Sequence, residues 1–100
     1  MHIQIVTFNL RGISENDYRA LCEQLAHTFA AMPGLLSKVW LADAATNTYG
    51  GVYTWENKAA MAPYLQSELF NGKDNHPTLA NIASRDFGVF EEPTYVTGSK

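Results

Sequence analysis

Hydrophobic and polar positions alternate from His2 to Leu10, with Val6, Phe8 and Leu10 on one side and Thr7 and Asn9 on the other. That period of two predicts a first strand. Gly12 breaks it, and Ser14 followed by Asp17 forms a short capping box that opens a helix. Tyr18, Leu21, Cys22, Leu25, Phe29 and Met32 then recur at helical spacing, with Glu15, Arg19, Glu23 and His27 on the other side, so one helix face belongs to the core. Pro33-Gly34 ends the helix. A second strand runs from Leu35 to about Ala42, the polar stretch Asp43 to Thr48 turns the chain near Ala45 and Thr46, and Tyr49 to Glu56 returns as a third strand.

A turn centred there pairs Trp40 with Gly51, Lys38 with Tyr53 and Leu36 with Trp55 on one face. Val39 with Val52, Leu41 with Gly50 and Ser37 with Thr54 share the other. The smaller, more aliphatic set reads as the face beneath the helices, which leaves Lys38, Trp40, Tyr53 and Trp55 on a bare face. Gly51 leaves room for the Trp40 indole across the strand, and Gly50 lets another backbone come close.

Asn57 caps a second helix extending through Phe70, with Met61, Leu65 and Leu69 in line and Asn71-Gly72 closing it. Pro63 inside that span predicts a kink or a late start. Lys73 to His76 reads as a loop, Pro77 opens a short helical turn through Ile82, Arg85 to Glu91 alternates as a fourth strand, and Thr94 to Thr97 is a fifth extended piece or a frayed tail. The order β-α-β-β-α-β is the α+β ferredoxin-like arrangement, a four-stranded antiparallel sheet with both helices on one face, in a single domain covering residues 1–100. Three large aromatics on a bare face exceed what a monomer leaves exposed, so a homodimer closing two sheets into a barrel-like core is expected.

The chain has 100 residues, 46% hydrophobic and 17% charged, which suits one packed domain and excludes disorder. A formal net charge of -3 offers nothing to a phosphate backbone, so nucleic acid is not an expected partner. No apolar run approaches the ~18–20 residues of a membrane-spanning helix. The first residues lack the pattern of a signal peptide, and the cytoplasm is the expected address. The single cysteine, Cys22, falls on the buried helix face and reads as a small hydrophobe. His2, His27 and His76 show no metal-ligand spacing, and no metal is expected.

The combination of Pro33-Gly34-Leu35-Leu36, Lys38, Tyr49-Gly50-Gly51-Val52-Tyr53, Trp55, Met61 and Ser67-Glu68-Leu69 resembles the YdhR-like mono-oxygenase family of the dimeric α/β-barrel superfamily. The resemblance covers most of the chain and is sharpest from residue 33 to 70. It implies two ferredoxin-like protomers packed sheet to sheet, each with a pocket, and the superfamily includes cofactor-independent antibiotic-biosynthesis mono-oxygenases and haem-degrading enzymes. It implies no particular substrate.

Cofactor-free oxygenation of a phenol or enol needs a dry cavity, a base, and a cation or donor near the developing oxyanion. Lys38 and Tyr53, with Asn9 as a polar partner from the first strand, are the candidate catalytic residues. Trp40, Trp55 and His76 are the candidate walls of a site for a small apolar or aromatic ligand, with no cofactor. A lysine among aromatics has its charged form disfavoured, but the same residue also reads as a stem packed on rings whose amine reaches a carboxylate or water. By resemblance to the haem-degrading branch, Asn9, Trp55 and His76 are instead candidates for a haem site. A third reading is a non-catalytic module that binds an apolar metabolite or only dimerises. Arg85 and Asp86 alternate on the fourth strand, and alternation does not say which of them faces the pocket.

Overall fold

The computed structural model describes residues 1–67, 70 and 78–98. Strand β1, His2–Leu10, leads through Gly12 (φ 75°) to helix α1, Glu15–Ala30. The Ser14 hydroxyl accepts a hydrogen bond from the Asp17 amide at 3.1 Å, while Glu15 and Asp17 place negative charge in the first turn and His27 lies in the last. Strand β2, Leu35–Asp43, follows Gly34 (φ 80°), and a 3₁₀ turn over Ala44–Thr46 with Asn47 in the left-handed region (φ 51°) carries the chain into β3, Thr48–Trp55.

Helix α2, Lys58–Gln66, is capped by Asn57, whose side-chain oxygen accepts from the Ala60 amide at 2.8 Å. It stops short of the expected Phe70. Pro63 removes one internal donor, and the chain leaves the helix a turn later at Ser67, whose amide donates to the Tyr64 carbonyl at 3.0 Å. The expected Leu69, Asn71-Gly72, loop to His76 and Pro77 lie outside the described residues.

Strand β4 spans Leu79–Gly88, so the helical turn expected up to Ile82 is strand and the strand expected to begin at Arg85 starts earlier. A register shift between Thr7 and Asn9 in the β1–β4 pairing, with Asn81 at φ 56°, hides the alternation of this segment. The C-terminal piece expected to be extended is instead a short helix, α3, Glu91–Val96. Pro93 sits in its first turn, where no donor is needed, and the N-terminal amine holds Glu91 at 2.7 Å.

The sheet order is β2-β3-β1-β4 with every pairing antiparallel, and the architecture is a ferredoxin-like α+β fold. The expected hairpin register is observed for Lys38 with Tyr53, Val39 with Val52 and Trp40 with Gly51. It slips only beyond Ser37, where Leu35 rather than Leu36 opposes Trp55 across a bulge. The faces, however, are the reverse of those expected. Tyr53 and Trp55 are buried against the helices with Val6, Phe29, Met61 and Tyr64, and Trp40 packs beside them. Val39, at 58% exposure, lies on the bare face with Phe87 at 44%. The reason is volume: the rings of Tyr53, Trp55, Phe29 and Tyr64 fill the space between helices and sheet that valines would leave empty. The large-aromatic argument for a dimer therefore does not hold, because those aromatics are already covered.

Candidate functional site

The helix-side face is built from polar tips as well as rings. Gln4, fully buried on β1, accepts the Trp55 indole N–H at 3.1 Å, and the Tyr53 and Tyr64 hydroxyls hydrogen bond to each other at 2.9 Å. The Tyr53 and Trp55 rings stack with centroids 6.2 Å apart. Phe29, descending from α1, meets Trp40, Tyr53 and Tyr64 at 5.5, 5.8 and 5.7 Å. Each polar tip is paired, so this wall is fixed in place.

Between this wall and α1 the rings enclose a cavity of about 310 Å³. Phe8, Tyr18, Leu25, Phe29, Trp40 and Tyr53 supply its apolar lining, and the polar groups that reach it include those of Lys38, Cys22 and Thr78. Lys38 rises from β2 opposite Tyr53, and its amine lies 3.4 Å from the centre of the Phe29 ring, 3.5 Å from that of Trp40 and 4.6 Å from that of Tyr53. The missing side chain at Gly51 gives its stem room, since a Cβ there would come within 2.8 Å of the Lys38 Cε. Gly51 thus accommodates the lysine rather than the indole. Gly50 fits the backbone role expected of it: a Cβ there would collide with the Val6 carbonyl.

Among the described residues no carboxylate or hydroxyl pairs with the Lys38 amine. Burial lowers its pKa from 10.5 to about 7, with the Cys22 thiol acting weakly the other way. Attraction to the ring faces also favours the ammonium, so both protonation states are accessible near neutrality. The phenols go in the opposite direction. Burial, reinforced by the Tyr64 neighbour, pushes Tyr53 well above the usual phenol range, and burial with a hydrogen bond to Cys22 does the same to Tyr18. Near neutral pH the cavity therefore offers one titrating amine and neutral hydroxyl donors.

The structure brings Lys38, Trp40 and Tyr53 together in this cavity. It does not bring Asn9 or Trp55 there. Asn9 holds the Asn47 carbonyl at 2.7 Å and accepts from Asn81 at 2.8 Å, tying the hairpin turn to β4 on the sheet's other side. Trp55, 1% exposed, lies behind Tyr53. His76 lies outside the described residues. Asp86, rather than Arg85, shares the helix-side face, where it holds His2 at 2.6 Å. The sequence reading missed Tyr18, Cys22, Phe29 and Tyr64 as cavity residues; the helical spacing had marked the first three as core, and a core stripe facing a sheet lysine was the available signal.

The same fold occurs in solved structures of low sequence identity. A "putative antibiotic biosynthesis monooxygenase" from Deinococcus radiodurans superimposes with a TM-score of 0.74 at 17% identity, covering 91% of this chain and 94% of that one. SnoaB, a cofactor-independent oxygenase from Streptomyces nogalater, gives 0.67 at 15% identity over 88% and 92%. The haem degrader MhuD from Mycobacterium tuberculosis, with two haems bound, gives 0.70 at 17% identity over 90% and 96%. A comparison with curated proteins finds no match. The class is thus that of the antibiotic-biosynthesis mono-oxygenase fold. Within it, the family model described as "Putative mono-oxygenase ydhR" matches residues 3–100, and the chain belongs to that family.

Proposed function

We propose that the protein is a cofactor-independent mono-oxygenase of a small phenolic or enolic compound, with Lys38 as its base. The observation that carries this reading is the Lys38 amine, without a carboxylate or hydroxyl partner among the described residues, in a ring-lined cavity of about 310 Å³. The neutral amine takes the substrate's O–H proton, and the resulting ammonium, with the Tyr53 hydroxyl, stabilises the oxyanion. The electron-rich anion passes one electron to dioxygen, the radical pair joins through a new C–O bond, and protonation by Lys38 gives a hydroperoxide. Loss of water leaves a carbonyl at the former C–H carbon. One oxygen atom stays in the product, the other leaves as water, and the substrate carbon supplies all the electrons. Trp40 and Phe29 hold the flat substrate and exclude water.

The alternatives lack such an observation. Among the described residues no imidazole lines the cavity, and His76, the candidate for that role, lies outside them. A purely passive binding module has no use for an amine kept partly uncharged at a cost in solvation. The bare face, with Ile3, Ile5, Val39, Leu41, Val52 and Phe87, supports association with a second copy through flat aliphatic packing.

Oxygen consumption with a panel of hydroxylated aromatics, with neither flavin nor metal added, tests the reading. A substrate-dependent uptake is expected, falling about 10²- to 10⁴-fold in Lys38→Met, the range that general-base catalysis contributes. Unchanged uptake in that variant would remove Lys38 from the chemistry.

A further inference from the structure

We propose that Lys38 is also a carbonyl-capturing residue, forming a reversible imine with small aromatic aldehydes or ketones that enter the cavity. The proposal shares the cavity described above but does not depend on the oxygenation reading, since it needs no dioxygen and no redox step.

Three features of the site carry it. The amine borders the open cavity without a carboxylate partner among the described residues, so its lone pair is not committed to an ion pair when it is deprotonated. The surrounding rings of Phe29, Trp40 and Tyr53 form a slot in which a flat carbonyl compound stacks with its polar end toward the lysine. The Tyr53 hydroxyl, kept neutral by burial and joined to Tyr64 at 2.9 Å, is a donor on the same side of the cavity.

In the step itself the Lys38 nitrogen attacks the carbonyl carbon and a C–N bond forms, while the carbonyl oxygen takes up a proton. Loss of a second proton from nitrogen and departure of the oxygen as water leave the C=N bond, so amine and carbonyl give imine and water with no change in oxidation state. A hydrogen bond from Tyr53 assists departure of the oxygen. The amine is half free near pH 7, whereas a lysine of ordinary pKa has roughly a thousandth of its molecules in the reactive form. That difference favours capture at Lys38 over any lysine of ordinary pKa.

The test uses benzaldehyde and cyanoborohydride with the intact protein at neutral pH under nitrogen, followed by peptide mass mapping. One added benzyl group is expected on the Lys38 peptide, with more than a tenfold preference over any other lysine. It is expected to fall at least tenfold when 2-naphthol fills the cavity and to vanish in Lys38→Met. Tyr53→Phe, which keeps the ring, is expected to slow trapping several-fold and leave the site of labelling unchanged. Absence of label at Lys38, label spread evenly over the surface amines, or label indifferent to 2-naphthol would overturn the proposal. Trapping at Lys38 without oxygen consumption on any phenol would retain it and remove the oxygenase reading instead.

Discussion

The two faces of the sheet are both apolar, yet they are apolar in different ways. Toward the helices the strands carry Gln4, Lys38, Trp40, Tyr53 and Trp55, long side chains whose polar atoms reach partners or the cavity. Away from the helices they carry Val39, Val52, Ile3 and Ile5, short side chains that make a smooth surface. Rings on the helix side leave a cavity of about 310 Å³ that a small molecule fits, whereas β-branched side chains at one height make a flatter surface. The difference shows that a ring-lined pocket forms on the helix-side face, and that its residues are the ones a simple aliphatic-core rule assigns to the outside.

The largest expected effect on stability comes from the wall of the helix-side face. Trp55→Ala deletes a side chain that is 1% exposed and leaves the buried Gln4 Oε1 without its donor, and denaturant unfolding should show a loss of about 3–5 kcal/mol. A similar loss from Val39→Ala would break the assignment of faces.

Next in size is a pH-dependent term at Lys38. Its pKa is lower in the folded protein, about 7, than in the unfolded chain, 10.5, so the unfolded chain binds more protons between these values. The solvation cost is fully present below pH 7 and relieved as pH rises towards 10.5. Lys38→Met should therefore be more stable than the parent at pH 6, by up to a few kcal/mol, with the gap closing across that window in parallel unfolding titrations.

Gly51→Ala sharpens the comparison at one atom. The new Cβ meets the flexible end of Lys38 at 2.8 Å and the Tyr53 ring at 3.3 Å, so the lysine moves while the sheet stays paired. Oxygen uptake should fall at least tenfold, with a stability change of about 1 kcal/mol or less. The smallest effect on the fold belongs to Val39→Asp. On an exposed position it should leave the protomer folded and its cavity unchanged; for the proposed pairing through the bare face, sedimentation at micromolar concentration is expected to give a dimer for the parent and a monomer for the variant.

Much of this architecture was legible in the sequence. The Ser14 and Asn57 caps, the α1 stripe and the hairpin register each rest on local chemistry that the chain displays directly. Grouping Lys38, Trp40 and Tyr53 needed only alternation and register. Which side the helices cover was not legible, because alternation separates two sets of residues without ordering them, and here both sets are apolar. The signal was indirect: Val6 and Phe8 oppose Gly51 and Tyr49, so the β1 core face is continuous with Tyr53 and Trp55, but the β1–β3 register is a long-range pairing that no turn specifies. Asn9 misled through its position at a strand end, where its amide serves a turn carbonyl. The start of β4 was hidden by the bulge at Asn81, which interrupts the period of two.

Lys38 carries a half-buried amine, with no carboxylate or hydroxyl partner among the described residues, whose pKa burial lowers to about 7. Titrating the ¹³Cε resonance of labelled lysine by NMR, with Lys38→Met to assign the signal, measures that pKa without any substrate. A midpoint at about pH 7 is expected for Lys38; a midpoint near 10.5, the ordinary value for lysine, would rule it out as a base near neutrality.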